Sequence, residues 1–142
     1  VLLFVAMLAA VFIFGSEPKE TREGEVVTQA IPSGQASTSA GDAAHGEALF
    51  TSKNCAGCHS LDGSFITGPS LKGVAGTEVT LADGSKVTAD DAYLLESIED
   101  PGKQVVKCPN CGPPSPMATV IPKGSITPAQ AADLVAYIKT QK

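Results

Sequence analysis

Two cysteines and a histidine within five residues, Cys55-Ala56-Gly57-Cys58-His59, constrain this chain more than any other feature. In a helical turn, thiols three positions apart share one side of the chain. Each can then add to one vinyl group of the same porphyrin. His59, next to the second cysteine, falls beneath that ring, where its Nε2 can bind iron. C-x-x-C-H is therefore the c-type haem attachment pattern. Without His59 the pair could equally form a disulfide or half of a zinc site. The motif predicts one covalently attached haem c, held by Cys55 and Cys58, with His59 as an axial ligand.

The chain has 142 residues, enough for one folded domain. Its hydrophobic fraction is 43%, but the distribution is lopsided. All fourteen residues of Val1–Phe14 are apolar, which leaves about 47 of about 61 apolar residues, or about 37%, for the other 128 positions. As a helix the run would be about 21 Å long, against a bilayer core of about 30 Å. That is short for a span and typical of a signal-peptide core. No Ala-x-Ala site follows Phe14, and no nearby cysteine follows to take a lipid. Residues 1–14 are therefore expected to be a retained transmembrane anchor, with an unprocessed signal peptide or a buried helix as the alternative. Either reading exports the chain. It predicts a bacterial cytoplasmic membrane protein with its haem domain on the periplasmic side. The net charge of −5 argues against a general nucleic-acid binder, which needs clustered Lys and Arg.

Residues 15–41 read as a linker. The first half is sign-mixed (Glu17, Lys19, Glu20, Arg22, Glu23, Glu25), and the second is rich in Ser, Thr, Gly and Ala. Neither half has apolar periodicity, so neither can fold alone. The segment is expected to be a flexible tether or to lie along a partner subunit.

Residues 42–142 form the expected haem domain. Asp42 can cap a first helix running to about Lys53, with Leu49 and Phe50 inward. A middle helix is expected from about Ala89 to Glu99, capped by Thr88 and stopped by Asp100-Pro101-Gly102; Tyr93, Leu94 and Ile98 face the core. Before it, Glu78–Val87 around Asp83-Gly84 reads as a small hairpin flap. The last helix has Thr127 as N-cap, Pro128 in its first turn and Gln130 completing a capping box. Its apolar stripe is Ala131, Leu134, Val135 and Ile138.

Across nearly all of this domain the chain resembles class I cytochromes c. Gly46 and Phe50 match a glycine and an aromatic of the family's first helix, which pack on an aromatic of its last helix, matched by Tyr137. Gly68-Pro69 matches the family's proline, whose carbonyl accepts the Nδ1 proton of the proximal histidine and so raises its basicity. Leu71 follows as a haem-wall residue. The resemblance implies an all-α class I cytochrome c fold: three main helices around one haem, with a small β flap, preceded here by the transmembrane helix. A low-spin carrier needs a sixth iron ligand. Met7 lies in the anchor, and Met117 is the only other methionine. It sits in the proline-rich loop Ser115-Pro116-Met117-Ala118, where the family carries its axial methionine. His45 is the rival ligand and is expected to face solvent.

A second pair, Cys108-Pro109-Asn110-Cys111, is followed by Gly112 rather than His, so it should not bind a second haem. Zinc would need four ligands, and Gly112-Pro113-Pro114 cannot continue the helix that a thioredoxin-like pair opens. A disulfide in an oxidising compartment is expected, stiffening the segment that leads to Met117.

His/Met ligation in a dry site raises the reduction potential and leaves no open iron position, which predicts single-electron transfer rather than enzymatic turnover. Leu81–Gly84, Ala92–Ile98, Asp100-Pro101-Gly102 and Leu134–Ile138 are similar to the cytochrome c domain fused to subunit II of caa3-type oxidases. The chain lacks that protein's copper domain and copper loop. What remains is similar to the anchored monohaem cytochrome subunit of alternative complex III, a bacterial quinol-oxidising complex. That resemblance implies partner subunits, membrane lipid around residues 1–14, and an oxidase, copper protein or reaction centre as acceptor. An anchored shuttle, and a pentacoordinate haem sensor or peroxidase, are the competing readings. Eight Lys against eleven Asp and Glu leave the domain at −3, which disfavours a large basic docking patch and fits a permanent neighbour or an apolar surface at the haem edge.

Overall fold

The Asp42 carboxylate accepts the backbone N–H groups of Ala44 and His45, at 2.8 and 3.2 Å, and so starts the first helix, α1, Ala43–Ser52. The computed structural model describes residues 40–142. The expected anchor (1–14) and almost all of the expected linker (15–41) lie outside the described residues. The linker's last residue, Gly41, is packed: a Cβ there would sit 2.6 Å from the Asp133 amide nitrogen. Among the described residues, no helix is long and apolar enough to cross a membrane.

After α1 the chain makes a 3-10 turn, Cys55–Gly57, and then two antiparallel strands, β1 Glu78–Thr80 and β2 Lys86–Thr88. Their register pairs Glu78 with Thr88, Val79 with Val87 and Thr80 with Lys86. Gly84 turns the hairpin with φ 90°, a conformation costly to a side chain. This is the expected flap. The middle helix, α2, spans Asp91–Glu99 and begins two residues later than the sequence predicts. Its cap is Asp90, whose carboxylate accepts Tyr93 N–H at 2.9 Å, rather than Thr88. Thr88 is held in the hairpin, and the fully buried Ala89 continues the pairing by donating to the Thr77 carbonyl at 2.8 Å.

A short helix, α3 (Pro116–Val120), stands where only a proline-rich loop is expected. Pro116 at its first turn is preset for helical φ and has no N–H to leave unpaired. The last helix, α4 (Pro128–Thr140), has both reciprocal bonds of the Thr127–Gln130 capping box. Its stripe of Ala131, Leu134, Val135 and Ile138 is buried as the spacing predicts.

α4 packs against both α1 and α2. The α1–α4 contact is close because Gly46 has no side chain; a Cβ there would lie 2.8 Å from the Tyr137 Cβ. Beside it the Phe50 and Tyr137 rings meet with centroids 5.5 Å apart at 53°, a tilted arrangement favoured by ring quadrupoles. Leu49, Leu94, Ile98, Ile126, Leu134 and Ile138 complete the buried cluster.

Candidate haem site

Asn54, in the left-handed region at φ 57°, ends α1 and swings the chain into the 3-10 turn. Cys58 and His59 both donate their amides to the Cys55 carbonyl, at 3.1 and 2.9 Å. This tight turn presents the two thiols and the imidazole together. Both cysteines are half-buried, and burial pushes the Cys55 thiol up from its ordinary pKa.

His59 is oriented from the following loop. The amides of Thr67 and Gly68 donate to the Cys58 carbonyl, at 3.3 and 2.9 Å, and fold that loop beneath the motif. Pro69 then places its carbonyl 2.8 Å from His59 Nδ1. A carbonyl only accepts, so Nδ1 carries the proton, and Nε2 is the nitrogen with a free lone pair for metal. Gly68 makes this approach possible, since a Cβ there would lie 2.6 Å from His59 Cε1.

One apolar cleft contains Cys55, Cys58, His59 and Met117 in its lining. Pro69 and the half-buried Leu71 also line it, and the Leu71 amide is fixed to the Ser60 carbonyl at 2.9 Å. α2 and α4 contribute Leu94, Ile98, Leu134 and Ile138. α3 places the half-buried Met117 at the wall, with Val120, 67% exposed, at the rim. The Ser97 hydroxyl is the one buried side-chain polar atom without a hydrogen-bond partner among the described residues, and Ser97 lines this same cleft.

These residues fit a haem c. Two free thiols and an imidazole with an available Nε2 share a cleft with a thioether. The walls are largely apolar, as a porphyrin requires. The orphaned Ser97 hydroxyl can be satisfied by a polar atom or a water within the filled cleft.

The structure does not bring His45 to this cleft. Its Nδ1 lies 2.6 Å from Asp133 Oδ2 on the outer side of the α1–α4 contact. Asp133 Oδ1 also accepts the Asp42 amide at 2.7 Å, which ties the start of the domain to α4. Cys108 and Cys111 are joined as a disulfide, with Cα atoms 5.0 Å apart, and Cys111 is buried in the cleft wall.

Several functional positions were not legible in advance. The sequence pointed to Gly68-Pro69 through the proline, but not to the closeness of Gly68 to the ring. Ser97 left a faint signal, a hydroxyl three residues after Leu94 on the buried face of α2. The place of Cys111 in the cleft wall left none.

Helices packed around an apolar cleft, with C-x-x-C-H at its mouth and a methionine in its wall, define a monohaem c-type protein. The cytochrome c family model matches residues 43–142. The chain is 30% identical over 108 residues to cytochrome c of Tetrahymena pyriformis, covering 70% of this chain and 89% of that protein. It is similar in structure to cytochrome cH from Methylobacterium extorquens, with a TM-score of 0.51 and 34% identity, covering 70% of this chain and 99% of that one. This chain belongs to the cytochrome c family, has the class I cytochrome c fold, and carries one covalently attached haem c. Members of this family are electron carriers.

Proposed function

We propose that this protein is a membrane-anchored monohaem cytochrome that passes single electrons as a subunit of a quinol-oxidising complex of the alternative complex III type. Residues 1–14 are its anchor, residues 15–41 its tether, and residues 42–142 its haem domain on the periplasmic side. The resemblance of Ala92–Ile98 and Leu134–Ile138 to an oxidase-fused cytochrome domain, with no room for a copper domain between residues 14 and 42, supports this reading.

Cys55 and Cys58 would hold the haem through thioethers, and His59 and Met117 are the residues that would ligate its iron. The bound haem supplies a one-electron ferric/ferrous couple. Pro69 holds the proton on His59 Nδ1 and so leaves the Nε2 lone pair available to a metal. Met117, in the cleft wall, would supply a soft, neutral sulfur to the iron, which would exclude water and favour the reduced state. Leu71, Leu94 and Ile98 keep the site dry. Val120, with Phe65 and Ile66 at 43% and 47% exposure, offers apolar surface suited to a neighbouring redox subunit. A tether raises the effective concentration of the domain near such a partner.

The observation that carries the electron-transfer part of this reading is the presence of Met117 and a Pro69-oriented His59 in one apolar cleft. The ferric holoprotein is expected to show the methionine-sulfur-to-iron charge-transfer band, and the ferrous form to resist carbon monoxide. Rapid carbon monoxide binding without that band would instead establish a pentacoordinate sensor or peroxidase. Purification in mild detergent tests the assembly: stable co-purifying subunits support the complex, and a lone cytochrome means an anchored shuttle.

A further inference from the structure

Residues 108–115 form a strap between the flap and α3. At its start, Ala82 N–H donates to the Val105 carbonyl and Lys107 N–H to the Thr80 carbonyl, both at 2.8 Å. At its end lies the helix that carries Met117. Between these points, among the described residues, the strap makes one internal hydrogen bond, Cys111 N–H to the Cys108 carbonyl at 3.2 Å. It makes one more to α3 itself, Ala118 N–H to the Ser115 carbonyl at 3.1 Å. Four of the nine residues from Cys108 to Pro116 are prolines, which cannot donate to a ladder. Gly112 follows the buried cysteine directly, and a side chain there would meet nothing within 4 Å. The strap is therefore located by side chains, chiefly by the buried Cys111 and Ser115.

We propose that the Cys108–Cys111 disulfide is a positioning element for Met117, so that thiol–disulfide exchange at this pair controls whether Met117 stays in the cleft. The proposal rests on Met117 as the axial ligand. The disulfide closes a small ring, and such a ring adds little to global stability through chain entropy. Its effect is local. It fixes the Cys111 sulfur in the cleft wall and removes the rotational freedom that Gly112 would otherwise pass on to Pro116 and Met117.

Opening the ring requires a dithiol reductant. One of its thiolates attacks Cys108 Sγ, the less buried sulfur, and forms a mixed disulfide while Cys111 leaves as a thiolate and takes a proton. The reductant's second thiol then attacks the mixed bond, and Cys108 leaves and is protonated. The protein gains two electrons and two protons, and the reductant becomes its own disulfide. The strap is then free to swing, and Met117 leaves the cleft wall with it.

The test uses the full-length holoprotein with the disulfide intact, beside C108S/C111S. The intact ferric protein shows the methionine–iron charge-transfer band. The variant is expected to lose at least half of that band and to bind carbon monoxide at least tenfold faster when ferrous, while its unfolding midpoint hardly moves. If both forms keep the band and resist carbon monoxide equally, the proposal is wrong. If the intact protein itself lacks the band, the assignment of Met117 fails first. Should the variant not mature, the native holoprotein is reduced with a phosphine and its iron reoxidised before the spectrum is taken. A full band with two free thiols titrated overturns the proposal, and a diminished band upholds it.

Discussion

His59 Nδ1 donates to the Pro69 carbonyl at 2.8 Å, and Gly68 passes so close beneath the ring that a Cβ would lie 2.6 Å from Cε1. Gly68→Ala must therefore displace either the imidazole or the carbonyl that orients it. We expect it to destabilise the holoprotein by about 1–3 kcal/mol, as overpacking does, and, where the Nδ1 hydrogen bond is lost, to raise the reduction potential, because a less basic imidazole stabilises ferric iron less. Pro69→Ala keeps the carbonyl and should cost about 1 kcal/mol or less. Denaturant unfolding and potentiometry of the two variants check this; equal effects would mean that the ring is not held from this loop.

The Phe50–Tyr137 pair, seated beside Gly46, joins the first and last helices. Phe50→Ala should cost about 3–5 kcal/mol through lost burial and a cavity. Gly46→Val should do at least as much harm, because no space exists for its side chain. Thermal unfolding of the holoprotein measures both, and a near-native Gly46→Val would refute the close helix contact.

Asp133 predicts an acid-side instability. Its carboxyl is held below the ordinary carboxylate range, first by the Asp42 amide and then by His45. A carboxyl depressed in the folded state contributes stability above its unfolded pKa of about 3.9, and that stability is lost as pH falls through the folded value. Native protein should therefore lose stability below about pH 4, and Asp133→Asn should flatten that part of the profile. Melting temperature against pH for the two proteins gives the answer, and parallel curves would exclude Asp133 as a contributor.

Leu94, Ile98, Leu134 and Ile138 belong to both the buried cluster and the cleft lining, so the helices depend on what they enclose. Residues 42–142 hold only about 24 large apolar side chains. The haem-free C55S/C58S protein is expected to be largely unfolded, with amides that exchange rapidly. Well-protected amides in that preparation would show that side chains alone complete the core.

Much of the architecture was legible because its signals are local. Asp42, Thr127, Pro128 and Gln130 mark helix ends within a few residues of the bonds they make. Asp83-Gly84 marks the hairpin in the same way. Residue type misleads where another element competes for the same residue. Thr88 is a good cap by type, but its strand pairing with Glu78 holds it, and Asp90 takes the role. The helix α3 was hidden among prolines that usually signal a loop, although Pro116 suits a first helical turn.

From the sequence alone came the covalent chemistry and the fold: C-x-x-C-H, the capped helices, and the sole methionine within residues 42–142. Spacing over five residues is enough to place two thiols and an imidazole on one turn. Only the tertiary structure decided how that imidazole is oriented, that Asp133 clamps Asp42 and His45 from the far end of the chain, and that Cys111 enters the cleft wall on the strap to Met117. The hydrogen bonds among these relations join residues ten to ninety-one positions apart. No local propensity specifies them; they arise when helix packing brings the segments together.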